Sequence, residues 1–206
     1  MKSNHIHLAS FPRSGNKFAQ QILHHVFGLK CRSIYPVPEY PDEIAPTWNG
    51  VEANVIIKTH ELWSCETGIY VVRDPRDVYC SFSRYQTHLK GRLVSAEDLI
   101  SDPASFADYC FSWTDHLLSW RKPGVHVLKY EDLLSDPIGA MKAALSFFAI
   151  DVLEIGTIPD WSQLNAGCHW YYQVGKAGRW KMELPQVAID LCEQVNGKAM
   201  RELGYL

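Results

Sequence analysis

The chain has 206 residues, 47% of them hydrophobic, and a formal charge of −3 at pH 7. This hydrophobic content excludes a globally disordered chain, and the absence of a basic excess argues against a general nucleic-acid binder. The length suits one domain, residues 1–206, with a substantial core.

Cysteine and histidine spacing excludes two further classes of protein. None of the six cysteines forms a C-x-x-C pair, and the nine histidines lack the spacing of a metal site. We therefore expect reduced cysteines and no metal. No long apolar run stands near either end, which predicts neither a signal peptide nor a membrane anchor and favours a cytoplasmic protein.

Apolar patterning predicts strands that alternate with helices along the chain. The predicted strands are 6–11, 54–58, 68–73 and 125–129. The predicted helices are 17–27, 75–84, a stripe from Phe106 to Trp120, a segment that follows Asp136-Pro137, and 185–203, with a capping box at Ser95 to Asp98. Residues 31–50 have no periodicity and are expected to form a long loop. Near-continuous apolar strands predict a parallel sheet covered on both faces, which is an α/β layered fold.

The turn after the first strand carries two cations. It reads Pro12-Arg13-Ser14-Gly15-Asn16-Lys17 and leads into a helix. A glycine-bearing turn between a strand and a helix directs backbone N–H groups at an anion, and the helix dipole favours negative charge there. An ordinary turn with solvated cations remains an equal alternative. The turn lacks the first glycine and the lysine-hydroxyl pair of a triphosphate-binding loop.

The next two strands also end in polar residues. Lys58 and His60 follow the second predicted strand, and alternation puts them on one side if the extended conformation continues. Histidine is the usual general base near neutral pH, although a lone histidine is more often structural. Arg73 ends the third strand, and with Ser81 it is suited to bind a second phosphate. The alternative is that Arg73 pairs with Asp77 for structural reasons.

A glycine- and lysine-containing segment near the C-terminus is a further candidate. It reads Gly175-Lys176-Ala177-Gly178-Arg179-Trp180-Lys181, and it either closes over a nucleotide or is a flexible exposed loop.

Taken together, these segments resemble the sulfotransferases that use 3′-phosphoadenosine-5′-phosphosulfate (PAPS). The family's "YPKSGTTW" corresponds to "FPRSGNKF", "KTH" is unchanged at residues 58–60, and "VVRNPKDVAVS" corresponds to "VVRDPRDVYCS". "YEDL" stands at residues 130–133, and "RKGxxGDWK" corresponds to "QVGKAGRWK".

The resemblance implies a three-layer α/β/α fold of the P-loop nucleotide-binding type and an enzyme that transfers a sulfuryl group to a hydroxyl. PAPS is the implied donor and 3′,5′-adenosine bisphosphate (PAP) the product, without a metal. His60 takes the place of the general base, and Arg13 and Lys58 those of the cations that stabilise the transferred charge. The implied nucleotide contacts are Arg13, Ser14, Gly15, Asn16 and Lys17 at the 5′-phosphate, Arg73, Ser81 and Gly175 at the 3′-phosphate, and Phe18, Trp161 and Tyr130 at adenine.

Two departures from the family pattern affect these expectations. Arg13 replaces a lysine, which changes the geometry of the cation but keeps its charge. Gln173-Val174 replaces the Arg-Lys pair before the last glycine motif and removes two cations from the 3′-phosphate site. We hypothesise that Lys176 compensates for part of this loss.

Two other functions and the acceptor remain open at this stage. A kinase-like phosphotransferase would need a full triphosphate loop and a metal-binding carboxylate, and neither is evident. A non-catalytic binder of 3′-phosphoadenosine nucleotides would need no base, so an intact KTH argues against it. The acceptor is expected to be a small molecule or carbohydrate with a hydroxyl. The candidates for contact with it are the aromatic residues Tyr35, Tyr40 and Trp48 or the basic residues Arg84, His88, Lys90 and Arg92. That both sets are ordinary surface is an equal alternative.

Overall fold

A computed structural model of the chain describes residues 5–29, 31–33, 55–63, 67–102, 111–160 and 175–206. Within these ranges the strands are β1 (His5–Ser10), β2 (Cys31–Ser33), β3 (Val55–Thr59), β4 (Gly68–Val72) and β5 (Val125–Lys129). The helices are α1 (Asn16–His25), α2 (Pro75–Lys90), α3 (Ala96–Ser101), α4 (Trp113–Trp120), α5 (Tyr130–Ser135), α6 (Pro137–Ser146), α7 (Trp180–Glu183) and α8 (Gln186–Glu202).

The strands form one sheet in the order β2-β3-β1-β4-β5, and every pair of neighbours is parallel. The register aligns their carboxyl ends: Ala9 lies opposite Thr59, Ser10 opposite Val71, and Val72 opposite Lys129. In open parallel sheets, ligands bind at the carboxyl ends of the strands. The binding crevice lies where two adjacent connections pass over opposite faces of the sheet.

Helices cover both faces of the sheet. Tyr70 and Val72 of β4 point into a core shared with α2, α3, α4 and α8, whereas Ile69 and Val71 point into a core shared with α1 and α6. All five residues of β4 are buried, as expected of a central parallel strand. The predicted three-layer α/β/α fold with a central parallel sheet is confirmed.

The helix starts follow from local capping signals. Asp74 accepts a hydrogen bond from the Arg76 backbone, and Pro75 occupies the first turn of α2. Asp136 caps α6 in the same way, through the backbone N–H of Gly139. The predicted capping box at Ser95 and Asp98 is confirmed, and α4 begins with a second box at Ser112 and Asp115.

Where the structure describes the chain, the predicted strands and helices are largely confirmed, and three short elements there were missed. β2 lies in the segment expected to be loop, α5 covers the YEDL sequence, and α7 is one turn that begins in the last glycine motif and ends after it. The predicted stripe from Phe106 is helical from Trp113 onward, and residues 103–110 lie outside the described residues. No helix in the described part of the chain is long and apolar enough to cross a membrane.

Candidate active site

The turn between β1 and α1 has an unusual backbone. Arg13 has φ 68° and Gly15 has φ 104°, so both residues adopt the left-handed region. For a non-glycine residue this conformation costs on the order of 1–3 kcal/mol and is found preferentially at ligand sites. The first backbone N–H groups of α1 have no partner within the helix, so the turn directs donors outward.

Two buried donor atoms at or next to this turn lack a partner among the residues that the structure describes, and so does one buried acceptor, Oδ1 of Asn16. The donors are Oγ of Ser14 and Nε of Arg73, and both residues are at least nine-tenths buried. A buried donor left without an acceptor costs free energy, about 1–3 kcal/mol. A phosphate oxygen is a suitable acceptor for both atoms, so the residues present fit an anionic group.

The side chain of Asn16 points into the fold rather than out of the turn. Its amide nitrogen donates to the carbonyl of Leu8 at 3.0 Å and to Oγ of Ser10 at 3.2 Å. The amide therefore holds the start of α1 against the end of β1. What Asn16 can offer an anion is its backbone N–H.

His60 is held by a backbone carbonyl of the neighbouring strand. Its Nδ1 lies 2.7 Å from the carbonyl oxygen of Ser10, which only accepts, so Nδ1 carries the proton and Nε2 is the basic nitrogen. Burial of the ring lowers the pKa of His60 to about 3, and the positive charges of Lys58 and Arg13 act in the same direction. The imidazole is therefore neutral at physiological pH.

Lys58 lies on β3, close enough to His60 for its charge to act on the imidazole. Its side chain is buried, with 6% of the residue exposed. The positive charges of Lys58 and Arg13 both act on His60, so positive charge is concentrated at this end of the sheet. An anionic ligand at this edge would be strongly attracted.

Arg73 joins three parts of the site. Its guanidinium donates to the carbonyl of Arg13 at 3.3 Å and to the carbonyl of Lys176 at 3.1 Å, and it lies 4.5 Å above the Tyr130 ring. It also pairs with Asp77 at 3.6 Å. The structural alternative for Arg73, an ion pair with Asp77, is thus present, but Nε of Arg73 has no partner within the described part of the chain.

The side chains of Arg13 and Ser81 are in direct contact. Nε of Arg13 donates to Oγ of Ser81 at 3.2 Å, and the guanidinium lies 5.0 Å from the centre of the Tyr85 ring. The turn after β1 is thereby linked to α2. This contact uses one of the five N–H donors of the arginine side chain.

Asp77 fastens the C-terminal glycine segment to the site. Its carboxylate accepts from the backbone N–H of Gly178 at 2.7 Å and from that of Trp180 at 3.1 Å. Gly175 has φ 59°, and the side chain of Lys176 is exposed while its carbonyl accepts from Arg73. The segment is thus tied to α2 instead of extending freely into solvent.

Tyr130 packs behind the turn. A Cβ atom at Gly15 would lie 2.2 Å from Cδ2 of Tyr130, so this close approach requires glycine. Phe18 meets the same ring edge-on, with centroids 6.5 Å apart, and both aromatic residues are more than nine-tenths buried. Lys17 is partly exposed at the mouth of the turn. Contacts of Tyr130 and Phe18 with adenine stay predictions.

Other predicted residues are not brought into this cluster. Trp161, Gln173, Val174 and the aromatic residues Tyr35, Tyr40 and Trp48 lie outside the described residues. Arg84, a candidate for an acidic acceptor, forms an ion pair with Glu183. His88 and Arg92 are exposed, and nothing is described of the Lys90 side chain. No cluster of three or more metal-ligating side chains occurs among the residues with described positions.

The sequence interpretation missed three contacts that build the site, although it had named Asp77 as a partner of Arg73. Ser10 supplies the carbonyl for His60, Asp77 anchors the C-terminal segment, and His116 on α4 donates from Nε2 to the carbonyl of His60 at 3.0 Å. His116 belongs to an apolar helical stripe, and its spacing there gave no signal of a contact with His60.

Comparison with known families decides among the interpretations. The sulfotransferase domain family matches residues 54–166, more than half of the chain. This protein belongs to the family of PAPS-dependent sulfotransferases. The matched region includes the KTH segment at residues 58–60, Arg73 directly after β4, and Ser81 on α2.

Solved structures share the fold of this sulfotransferase at low sequence identity. Mouse sulfotransferase SULT7A1, crystallised with PAP, is 18% identical with a TM-score of 0.63, and the match covers 98% of this chain and 86% of that one. Retinol dehydratase in complex with retinol and PAP is 16% identical with a TM-score of 0.65, covering 97% and 82%. The same enzyme with androsterone and PAP is 14% identical with a TM-score of 0.63, covering 97% and 81%.

Proposed function

We propose that this sulfotransferase moves the sulfuryl group of PAPS to a hydroxyl of a small-molecule or carbohydrate acceptor, with His60 as general base and residues 1–206 acting as one domain. The observation that carries this proposal is the hydrogen bond from His60 Nδ1 to the Ser10 carbonyl at 2.7 Å. It fixes the tautomer in which Nε2 is unprotonated and able to accept the hydroxyl proton.

The donor would lie along the carboxyl edge of the sheet. Ser14, Gly15, Asn16 and Lys17 would surround its 5′-phosphate through N–H groups, the Ser14 hydroxyl and the charge of Lys17. Arg73 and Ser81, with Gly175 and Lys176, would contact the 3′-phosphate. The buried Ser14 Oγ and Arg73 Nε support this assignment, because each is a donor that has no acceptor among the described residues. Tyr130, Phe18 and Trp161 are the residues proposed near adenine.

Bound PAPS would supply an already activated sulfuryl group, so the protein has mainly to position groups and stabilise charge. His60 Nε2 would take the proton of the acceptor hydroxyl as that oxygen attacks sulfur in line. Lys58 and Arg13 would stabilise the negative charge that develops on the sulfuryl oxygens and the leaving phosphate. Arg13 can do so through its terminal nitrogens while Nε stays on Ser81.

The small-molecule acceptor has support from one structural neighbour. Retinol dehydratase is described in complexes with retinol and with androsterone, which are both small molecules with hydroxyl groups. In this chain, the ion pair of Arg84 with Glu183 leaves Arg84 poorly placed to receive an acidic acceptor. We therefore propose a hydroxyl-bearing acceptor that does not depend on Arg84.

PAP is expected to stabilise the protein strongly without magnesium. At about 100 times its dissociation constant, a ligand adds roughly 2.7 kcal/mol to the free energy of unfolding. For a domain of this size that corresponds to a rise in melting temperature of about 5–10 °C. Thermal unfolding with PAP, with ATP and with Mg-ATP measures this. A larger shift with Mg-ATP than with PAP would favour a kinase-like phosphotransferase.

PAP binding is also expected to raise the pKa of His60. Burial lowers that pKa to about 3 in the ligand-free protein, and Lys58 and Arg13 contribute to the lowering. Negative phosphates beside these cations offset their effect on the imidazole, so the protonated form becomes less unfavourable. The measurement is an NMR titration of the His60 imidazole with and without PAP, and an unchanged or lower pKa would contradict the proposed position of the phosphates.

A further inference from the structure

One face of α4 holds the backbone segment that contains His60. Nε2 of His116 donates to the carbonyl of His60 at 3.0 Å, and Nε1 of Trp120 donates to the carbonyl of Glu61 at 2.9 Å. Oγ of Ser119 accepts from the backbone N–H of Trp63 at 3.2 Å. The three side chains stand at i, i+3 and i+4, so they project from the same side of the helix. This face contacts the segment through backbone groups.

His116 is the member of this face that contacts His60 itself. It is fully buried, and its ring lies among Phe11, Tyr70 and Phe111. Its Nδ1 lies 2.9 Å from the hydroxyl of Tyr70. Because the carbonyl of His60 only accepts, Nε2 carries the proton and Nδ1 accepts from Tyr70. Burial lowers the pKa of His116 to about 4, which keeps this neutral tautomer at physiological pH.

The two hydrogen bonds of His116 indicate that it holds the backbone of His60 and does not only fill the core. A polar ring in an aromatic core costs free energy unless both of its nitrogens are paired, and an apolar residue would fill the same space without that requirement. Both nitrogens of His116 are paired, one to β4 and one to the His60 backbone. His60 is therefore fixed at two points, its ring by the Ser10 carbonyl and its backbone carbonyl by His116.

We propose that His116 is a positioning residue for sulfuryl transfer, which fixes the His60 backbone so that Nδ1–H of His60 donates to Ser10 and Nε2 receives the acceptor proton. This inference rests on the proposed role of His60 as general base. Misplacement of a reacting group by about 1 Å costs on the order of 10²-fold in rate, so a loosened His60 carbonyl would reduce turnover without removing a group that touches substrate.

A matched pair of substitutions tests His116. In His116→Gln, the side-chain amide nitrogen can still donate to the His60 carbonyl. In His116→Asn, the shorter side chain keeps a polar group near Tyr70 but does not reach that carbonyl. We expect His116→Asn to lower kcat by about tenfold or more with the KM for PAPS within about twofold, and His116→Gln to recover most of the loss. Leu118→Ala, an exposed position on the same helix, is the control.

A second readout is independent of catalysis. NMR of the ligand-free protein follows solvent exchange of the His60 Nδ1 proton, which the Ser10 hydrogen bond protects. Exchange is expected to be faster by about tenfold in His116→Asn and close to the original rate in His116→Gln. Tyr70→Phe removes the hydroxyl that fixes the His116 tautomer. It is also expected to speed exchange of the His60 Nδ1 proton, by a smaller factor than His116→Asn. It serves as the test variant if His116→Asn does not fold.

The two readouts separate the positioning role from the general-base role. Unchanged exchange and kcat in His116→Asn, with only a lower melting temperature, would show that His116 merely fills the core and would overturn the inference. A loss in His116→Gln equal to that in His116→Asn would also overturn it, since the donor to the carbonyl would not matter. If His60→Ala kept normal turnover, the general-base proposal would fail, whereas the exchange rates would still report whether His116 fixes the ring.

Discussion

Replacement of His60 by alanine is expected to lower turnover by on the order of 10²–10⁴-fold, the range typical of a lost general base. Nucleotide affinity is expected to stay nearly unchanged, because the proposed phosphate contacts come from the β1–α1 turn, Arg73 and Ser81. The measurement is steady-state turnover of PAPS with a saturating hydroxyl acceptor, together with a PAP titration of both proteins.

His60→Asn sharpens this experiment. An asparagine amide can still donate to the Ser10 carbonyl in place of Nδ1–H, but it has no basic nitrogen. It is therefore expected to lose nearly as much turnover as His60→Ala. His24→Ala is the control, since His24 is exposed near the opposite end of α1. Near-normal turnover of the asparagine variant would mean that the hydrogen bond to Ser10, and not proton transfer, is what His60 contributes.

Replacement of Arg73 by methionine is expected to weaken PAP binding by about 10- to 150-fold. A hydrogen bond from a charged donor contributes roughly 1.5–3 kcal/mol, and each 1.4 kcal/mol corresponds to a factor of ten in affinity. The affinity for adenosine 5′-monophosphate is expected to change by no more than about threefold, since that nucleotide lacks the 3′-phosphate. Calorimetric titration of the two nucleotides measures the difference.

The control for Arg73 is Lys181→Met, which removes an exposed cation from the same C-terminal segment. The PAP affinity of this variant shows how much of the loss in Arg73→Met comes from the lower positive charge alone, without loss of a specific contact. Arg73 also donates to the carbonyls of Arg13 and Lys176, so a collapse of the segment would weaken both nucleotides together. An equal loss of affinity for both nucleotides would therefore show that Arg73 stabilises the structure of the site and does not recognise the 3′-phosphate.

Most of the fold was predictable because its signals are local. The β1–α1 turn has glycine and proline at the required places, α2 begins at an Asp-Pro pair, and the Ser95 capping box is visible within four residues. β4 is an uninterrupted apolar run, which is typical of a central parallel strand. Each of these features depends on neighbours in the chain.

The elements that were missed depend on distant parts of the chain. β2 has three residues, Cys31–Ser33, without apolar alternation, and its strand conformation comes from pairing with β3. α7 is a single turn whose first residue, Trp180, is held by Asp77 and by the guanidinium of Arg76, 3.8 Å from its ring. Neither the pairing of β2 with β3 nor the contacts of Trp180 can be recognised from the local sequence.

The candidate site was predictable as a set of segments but not as a set of contacts. A parallel sheet brings the ends of β1, β3 and β4 together, so residues just after those strands were expected to meet. The sequence contains no sign that Nε of Arg13 contacts Ser81, 68 residues away, or that His116 donates to His60. Such contacts depend on rotamers and helix placement, which emerge only when the layers pack.

The most direct test of the proposed reaction follows sulfur from donor to acceptor. The protein is incubated with sulfur-labelled PAPS and a panel of hydroxyl-bearing small molecules and carbohydrates, without metal, and labelled products and PAP are quantified by mass spectrometry. We predict that PAP and one or more sulfated acceptors form in equal amounts, and that His60→Ala lowers both together. PAP binding without any sulfated product, in a panel that a known sulfotransferase modifies, would contradict the reaction and leave a nucleotide-binding protein.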